Sequence, residues 1–258
     1  MSIQTFRRFL SGPRAWRARS PWHPLLAALA AVFIVVAGQV APIGAIAWMT
    51  GVMPQAAPDA SAAEETLYQL NDATGAALLL LSQSTLALLT LGAASFFRAR
   101  FAEVLSLTRP DGGRRAYLFS FLLMVPLLVA LNAFSYWLSP AGFISDFKQF
   151  AGMAQTSQPI TAFLAIAIGA PLWEEMLFRG FLLGPLAGPL GFWPAAVLVS
   201  GAWTVLHIGY SLAGLAEVFL IGLYFSWLLW RTGSLWVPIA CHAAYNACLF
   251  VAMRYLAV

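Results

Sequence analysis

Six side chains that could do chemistry stand in otherwise apolar runs in the second half of the chain: Glu174, Glu175, Arg179, His207, His242 and Asn246. Ionisable groups inside a membrane cost about 2.5–3.5 kcal/mol each on insertion scales, so a sequence that keeps several of them is expected to use them. A carboxylate and an imidazole can activate water as a general base. A second imidazole and a carboxamide can donate hydrogen bonds to an oxyanion. The set therefore predicts hydrolysis of an amide bond without a covalent intermediate.

The spacing assigns different positions to these groups. Glu174 and Glu175 are adjacent, so on a helix they project about 100° apart and cannot do the same job. Glu175 and Arg179 are four residues apart with the acid first, which is the favourable order for an ion pair. We therefore predict that Arg179 neutralises Glu175, and that Glu174 is the acid of the site. His242 and Asn246, also four residues apart, share one helical face.

Zinc is an alternative use of the same groups, because two histidines and one carboxylate form a catalytic zinc set. Its ligands would be Glu174, His207 and His242. The chain has no HExxH motif and these candidates are scattered along it, so we predict no cofactor and keep zinc as the alternative. The chain also lacks the GxSxG nucleophile elbow of serine hydrolases.

The elements that must position these residues are membrane helices. The chain has 258 residues, of which 61% are hydrophobic and 9% are charged, whereas a soluble domain is about 45–50% apolar and about 25% charged. This composition excludes a disordered chain, and the two cysteines exclude a disulfide scaffold. We predict an all-α, polytopic integral membrane helix bundle with a polar intramembrane cavity and seven or eight transmembrane helices. The apolar segments are 25–49, 74–97, 116–138, 161–183, 194–210, 213–230 and 236–256.

The charges predict the topology and the domain organisation. Of the 14 Lys and Arg residues, most lie within 7–19 and 98–115, while the 50–73 loop carries acids and no base. By the positive-inside rule, the N-terminus and the 98–115 loop are cytoplasmic and the acidic loop is outside. We predict a basic cytoplasmic tail over 1–23 and a membrane domain over 24–258, with 139–160 as a mobile outer connector. The basic tail suits anionic lipid rather than nucleic acid, although it also fits an organellar transit peptide.

The same residues resemble a known family. Glu174-Glu175-x-x-x-Arg179 is similar to the EExxxR motif of the CAAX-prenyl-protease and bacteriocin-processing (CPBP, or Abi) family of intramembrane endopeptidases. His207 resembles the histidine of its FxxxH motif, with Trp203 in the place of phenylalanine. His242-x-x-x-Asn246 resembles its HxxxN motif. Gly222 and the stretch 231–235 are also similar to family members, and the resemblance covers about residues 160–250.

The resemblance implies roles for the site residues. On that analogy Glu174 and His207 activate water, and His242 and Asn246 stabilise the oxyanion. Glu175 and Arg179 support the site, and the polar cavity opens toward the cytosol.

The resemblance also implies a substrate, which would be a peptide or protein at the membrane, either prenylated and CAAX-type or related to bacteriocins. The composition looks bacterial, which predicts the cell (inner or plasma) membrane. Two other functions stay open: a non-proteolytic membrane adaptor, and a small transporter or proton relay. The adaptor has no need for an acid, two histidines and an amide together. A transporter is expected to carry broken helices in both halves, and the polar residues here lie in one.

Overall fold

The computed structural model describes residues 3–11, 15–50 and 72–255, and over these residues every regular element is helical. The predicted outer acidic loop lies almost entirely outside the described residues. In chain order the main helices are α1 (Ile3–Ser11), α2 (Pro24–Thr50), α3 (Asp72–Ser95), α4 (Phe101–Val104), α5 (Arg114–Leu138), α6 (Pro140–Ala154), α7 (Pro159–Leu190), α8 (Phe192–Val205), α9 (Leu212–Thr232) and α10 (Trp236–Tyr255).

The predicted membrane bundle is confirmed. In the described part of the chain, six helices are long and apolar enough to cross a membrane: α2, α3, α5, α7, α9 and α10. The fifth predicted segment, 194–210, is shorter than expected. It forms α8, whose 14 residues span about 21 Å at 1.5 Å per residue, against a hydrocarbon core about 30 Å thick.

Helix α7 is the centre of the bundle, because it packs against α2, α3, α8, α9 and α10. Two π-helical segments, Leu164–Gly169 and Glu175–Leu182, flank the short α-helical stretch Ala170–Glu174 within it. Pro171 has no backbone N–H to donate to the preceding turn, which explains why regular α-helix fails there. π-Helical turns are rare and frequently mark functional sites. Glu174 therefore sits where the backbone of the central helix is irregular.

The prediction of a mobile connector over 139–160 is wrong, because most of this stretch forms α6. Ser139 caps the helix by accepting a hydrogen bond from the backbone N–H of Gly142 at 3.2 Å, and Pro140 occupies the first turn. Phe143 and Phe147 stack one turn apart with ring centroids 5.0 Å apart. Helix α6 packs against α5, α9 and α10, so it is part of the bundle and covers one end of it.

Candidate active site

A cavity of about 140 Å³ lies between α5, α6, α7, α9, α10 and the turn that joins α8 to α9. Glu174, His207, His242 and Asn246 all line it, although they come from two helices, α7 and α10, and a turn. The structure thus brings all four predicted catalytic residues to one intramembrane space.

Glu174 is held at the wall of this cavity by a tryptophan. The indole Nε1 of Trp203 donates a hydrogen bond to Oε2 of Glu174 at 2.6 Å. The same carboxylate oxygen lies 3.9 Å from Nε2 of His242. Glu174 is buried, with 9% of its surface exposed. An acceptor oxygen is therefore fixed beside an imidazole on a side chain that is almost fully buried.

Glu175 and Arg179 form the predicted ion pair behind the cavity. Nη1 of Arg179 lies 3.1 Å from Oε1 of Glu175, and both side chains are completely buried. Nη2 of Arg179 donates to the carbonyl oxygen of Gly222 at 3.2 Å, and its guanidinium lies 4.5 Å from the ring centroid of Trp203. The pair is thus tied to α9 and to the tryptophan that holds Glu174.

His242 is oriented by Glu175. Its Nδ1 lies 3.0 Å from Oε1 of Glu175, and its ring stacks on Phe225 with centroids 5.0 Å apart. Oε1 of Glu175 also accepts a hydrogen bond from Arg179, so it is the acceptor in this contact as well and Nδ1 is assigned the hydrogen. Nε2 then faces Glu174. It accepts a proton when the ring is neutral, and it donates a hydrogen bond when the ring is imidazolium.

His207 lies beyond the end of α8, in the turn, and not inside a spanning helix as the 194–210 segment predicts. Its Nδ1 donates to the carbonyl oxygen of Trp203 at 3.1 Å, and the two rings have centroids 5.1 Å apart. Because a carbonyl can only accept, Nδ1 again holds the hydrogen and the neutral ring has its lone pair on Nε2. His207 is therefore set up as a proton acceptor.

Asn246 shares the cavity-facing side of α10 with His242, as their spacing predicts. Its Nδ2 donates to the carbonyl oxygen of Ile166, within the first π-helical segment of α7, at 2.9 Å. A carboxamide nitrogen has two hydrogens, so one remains for a ligand. The contact with Ile166 fixes the direction of that second donor.

Sequence reasoning missed three residues at the site. Trp203 was considered only as the residue that replaces phenylalanine in the FxxxH motif. Its indole N–H is the group that matters, because it donates a hydrogen bond to Glu174. Glu217 lines the cavity and accepts a hydrogen bond from Asn132 at 2.9 Å. Tyr210 lines it as well, from the turn. Burial raises the pKa of Tyr210, and Asp146 and Glu174 raise it further, so this phenol stays protonated and can donate a hydrogen bond.

The side chains do not form a ready zinc site. In the part of the chain that the structure describes, no three His, Cys, Asp or Glu side chains are gathered closely enough to hold a metal ion. As they lie in the described structure, Glu174, His207 and His242 therefore do not form a zinc site.

The fold and the cavity define a class: a polytopic helical membrane protein with an acid, two histidines and an amide around an intramembrane space. Residues 156–248 match a family described as type II CAAX prenyl endopeptidase Rce1-like. The match spans all three motifs and confirms the resemblance that they predict, over 93 of the 258 residues of the chain.

The chain is also similar to an Escherichia coli protein described as an uncharacterized 24.3 kDa protein. The two are 38% identical over 86 residues, which is 32% of this chain. The match spans 40% of the length of that protein. No solved structure matches the chain.

Proposed function

We propose that the protein is an intramembrane endopeptidase that hydrolyses a peptide bond with water activated by Glu174. The observation that carries this proposal is the carboxylate of Glu174, fixed by Trp203 at 2.6 Å in the wall of a cavity that His207, His242 and Asn246 also line. The match to the Rce1-like family supports the reaction class.

In the first step, Glu174 takes a proton from water and the resulting hydroxide attacks the carbonyl carbon of the scissile bond. Neutral His207 is the second acceptor that can orient this water, through the lone pair on Nε2. The carbonyl oxygen becomes an oxyanion as the carbon becomes tetrahedral. A buried cavity favours this step, because electrostatic contacts are stronger where water is excluded.

The oxyanion is stabilised by His242 and Asn246. His242 can donate from Nε2 when its ring carries a hydrogen there, and Glu175 next to Nδ1 holds the ring in the orientation that points Nε2 into the site. Asn246 supplies its second amide hydrogen. In the last step, the carbon–nitrogen bond breaks and Glu174 returns its proton to the leaving amine. The products are a carboxylate and an amine, and the enzyme is regenerated.

The test is cleavage of a library of membrane-proximal peptides by purified protein in detergent, wild type against Glu174→Gln. We expect the variant to fold and to lose cleavage, because an amide cannot accept the proton of water. Glu217→Gln is the matched control, since it removes a second carboxylate of the same cavity and its amide can keep the contact with Asn132. Retained cleavage by Glu174→Gln would overturn the mechanism.

A chelator arm addresses the zinc alternative. Wild-type cleavage that survives a zinc chelator supports activation by the carboxylate, and cleavage lost to the chelator and restored by zinc would assign the site to metal. If the wild type cleaves no peptide in the library but binds one of them, the membrane adaptor becomes the better account.

A further inference from the structure

One end of the bundle is basic, and the N-terminal tail is docked there. The backbone N–H of Ala15 donates to the carbonyl oxygen of Trp230 at 3.2 Å, and Nε of Arg231 donates to the carbonyl oxygen of Phe9 at 2.6 Å. The N–H of Asp111 donates to the carbonyl oxygen of Thr232 at 2.8 Å. The described residues of the arginine-rich segments 7–19 and 98–115 therefore contact the C-terminal end of α9 at one end of the bundle.

The cavity lies toward the other end. Its lining residues come from the last turns of α5, the first half of α9 and α10 from His242 onward, together with Glu174 in the middle of α7, Trp203 on α8, helix α6 and the turn after α8. Helix α9 runs from the cavity at its first turns to the basic end at Thr232, about 30 Å away at 1.5 Å per residue. The cavity thus extends from the middle of the bundle toward the end opposite the basic one.

The cavity end has few bases of its own. The described residues there include Lys148, on α6, and Arg254, at the end of α10. Nη1 of Arg254 donates to the carbonyl oxygens of Thr156 at 3.0 Å and Ala154 at 3.4 Å, so this arginine caps the end of α6. Arg254 therefore has a structural role at the cavity end of the bundle, and it is not evidence that this end is cytoplasmic.

We propose that the cavity opens on the extracytoplasmic side of the membrane. The positive-inside rule places the basic end in the cytoplasm, and the structure places the cavity at the opposite end. The two sequence-based expectations, a cytoplasmic N-terminus and a cavity open to the cytosol, are therefore incompatible in this fold. The charge distribution decides between them, because the arginines of two separate segments agree.

The location restricts the substrate, in a step that rests on the proposed function. Carboxylates of Glu174, Glu217 and Asp146 line the cavity, and the residues described around it include no Lys or Arg. A bond three residues from a chain end would bring a terminal carboxylate close to these acids, with no lysine or arginine in the lining of the cavity to pair with it. We infer that the enzyme cuts an internal bond of a juxtamembrane segment exposed outside, and not the C-terminal tripeptide of a cytosolic prenylated protein.

The first test measures topology with single cysteines in a Cys248→Ala background, where Cys241 is buried. Ser145→Cys, on the exposed surface of α6, and Asp111→Cys, at the basic end, are treated with a membrane-impermeant maleimide in spheroplasts. We expect Ser145→Cys to be labelled in intact spheroplasts and Asp111→Cys only after permeabilisation. The reverse pattern, or equal labelling of both, would overturn the proposal. Labelling after denaturation confirms that each variant is present.

A second test asks whether the cavity itself is open to that side. Val218→Cys lies in the cavity wall, and Val129→Cys lies on the exposed outer surface of α5. A charged methanethiosulfonate added outside should modify Val218→Cys and spare Val129→Cys. Modification of Val218→Cys only from the cytoplasmic side would overturn the inference. Neither test measures cleavage, so each can fail while the Glu174→Gln result stands.

Discussion

Trp203 shows how much of the site depends on one side chain. It donates to Glu174, and its ring lies near those of His207 and His242, with centroids 5.1 and 5.5 Å away. It also lies under the guanidinium of Arg179. The sequence could show an aromatic residue at this spacing. It could not show that the indole N–H would meet the carboxylate of Glu174, because that contact depends on the packing of α8 against α7.

Replacing Trp203 with phenylalanine tests the hydrogen bond separately from the ring. The variant keeps most of the aromatic contacts and loses the donor to Glu174. Hydrogen bonds to charged groups contribute about 1.5–3 kcal/mol, so we expect kcat to fall roughly tenfold to a hundredfold. The measurement is steady-state cleavage alongside the thermal midpoint in detergent.

Trp173→Phe is the matched control for that variant. The indole nitrogen of Trp173 is buried, and it has no hydrogen-bond partner among the described residues. Its removal should leave kcat close to the wild-type value. Equal losses of activity in the two variants would show that ring volume, and not the contact with Glu174, is what matters.

Arg179 and Glu175 give a second prediction at this scale, which concerns stability. Breaking a buried ion pair by removing one partner costs about 3–5 kcal/mol, because Glu175 is left buried with less compensation. We therefore expect Arg179→Ala to lower both the thermal midpoint and the cleavage rate.

The exposed pair of Arg100 and Glu103 is the control, since Arg100 is 83% exposed and such pairs contribute only about 0–1 kcal/mol. Arg100→Ala should melt like the wild type. A wild-type melting curve for purified Arg179→Ala would contradict the supporting role of the arginine.

At the scale of helices, apolar runs predicted most of the elements but not their local irregularities. Pro171 lies between two π-helical segments, and an apolar run gives no sign of such segments. The predicted segment 194–210 extends past Val205, where α8 ends. The prediction was too long because hydropathy does not distinguish a helix from an apolar turn. Helix α6 was missed because its mixture of polar and aromatic residues lacks the uniform hydropathy of a span.

The packing of α9 against α7 makes Gly222 a sensitive position. A Cβ atom added there would lie 2.9 Å from Nη2 of Arg179 and 3.1 Å from Cβ of Ser200. The gain in helix propensity is about 1 kcal/mol, but it cannot offset displacement of the buried arginine. We expect Gly222→Ala to lower the thermal midpoint and the cleavage rate.

Gly201, on α8, provides the comparison, because a Cβ atom there would meet nothing within 4 Å. Gly201→Ala should melt at or above the wild-type midpoint. If the two alanine variants behave alike, the close approach of α9 to Arg179 does not constrain the site.

At the scale of the whole molecule, composition alone was sufficient to predict the membrane bundle, and the motifs named the residues that line the cavity. The sequence could not say which end of the bundle the cavity faces. That property depends on how α5, α9 and α10 pack together, and it cannot be inferred from the sequence of any single helix. The charges predict which end of the bundle is cytoplasmic, and the motifs identify the residues of the cavity. Only the packing of the helices relates the two, and so predicts the side of the membrane on which the cavity opens.

The burial of Glu174 has a consequence for how substrates are selected. An α-helix with its side chains is about 10–12 Å across, whereas Glu174 lies in the wall of a cavity between packed helices with only 9% of its surface exposed. A transmembrane segment must therefore unwind locally before its backbone reaches Glu174. Turnover then depends on how often the segment frays, so that glycine and proline near the cut act as recognition elements through helix instability rather than through direct contact.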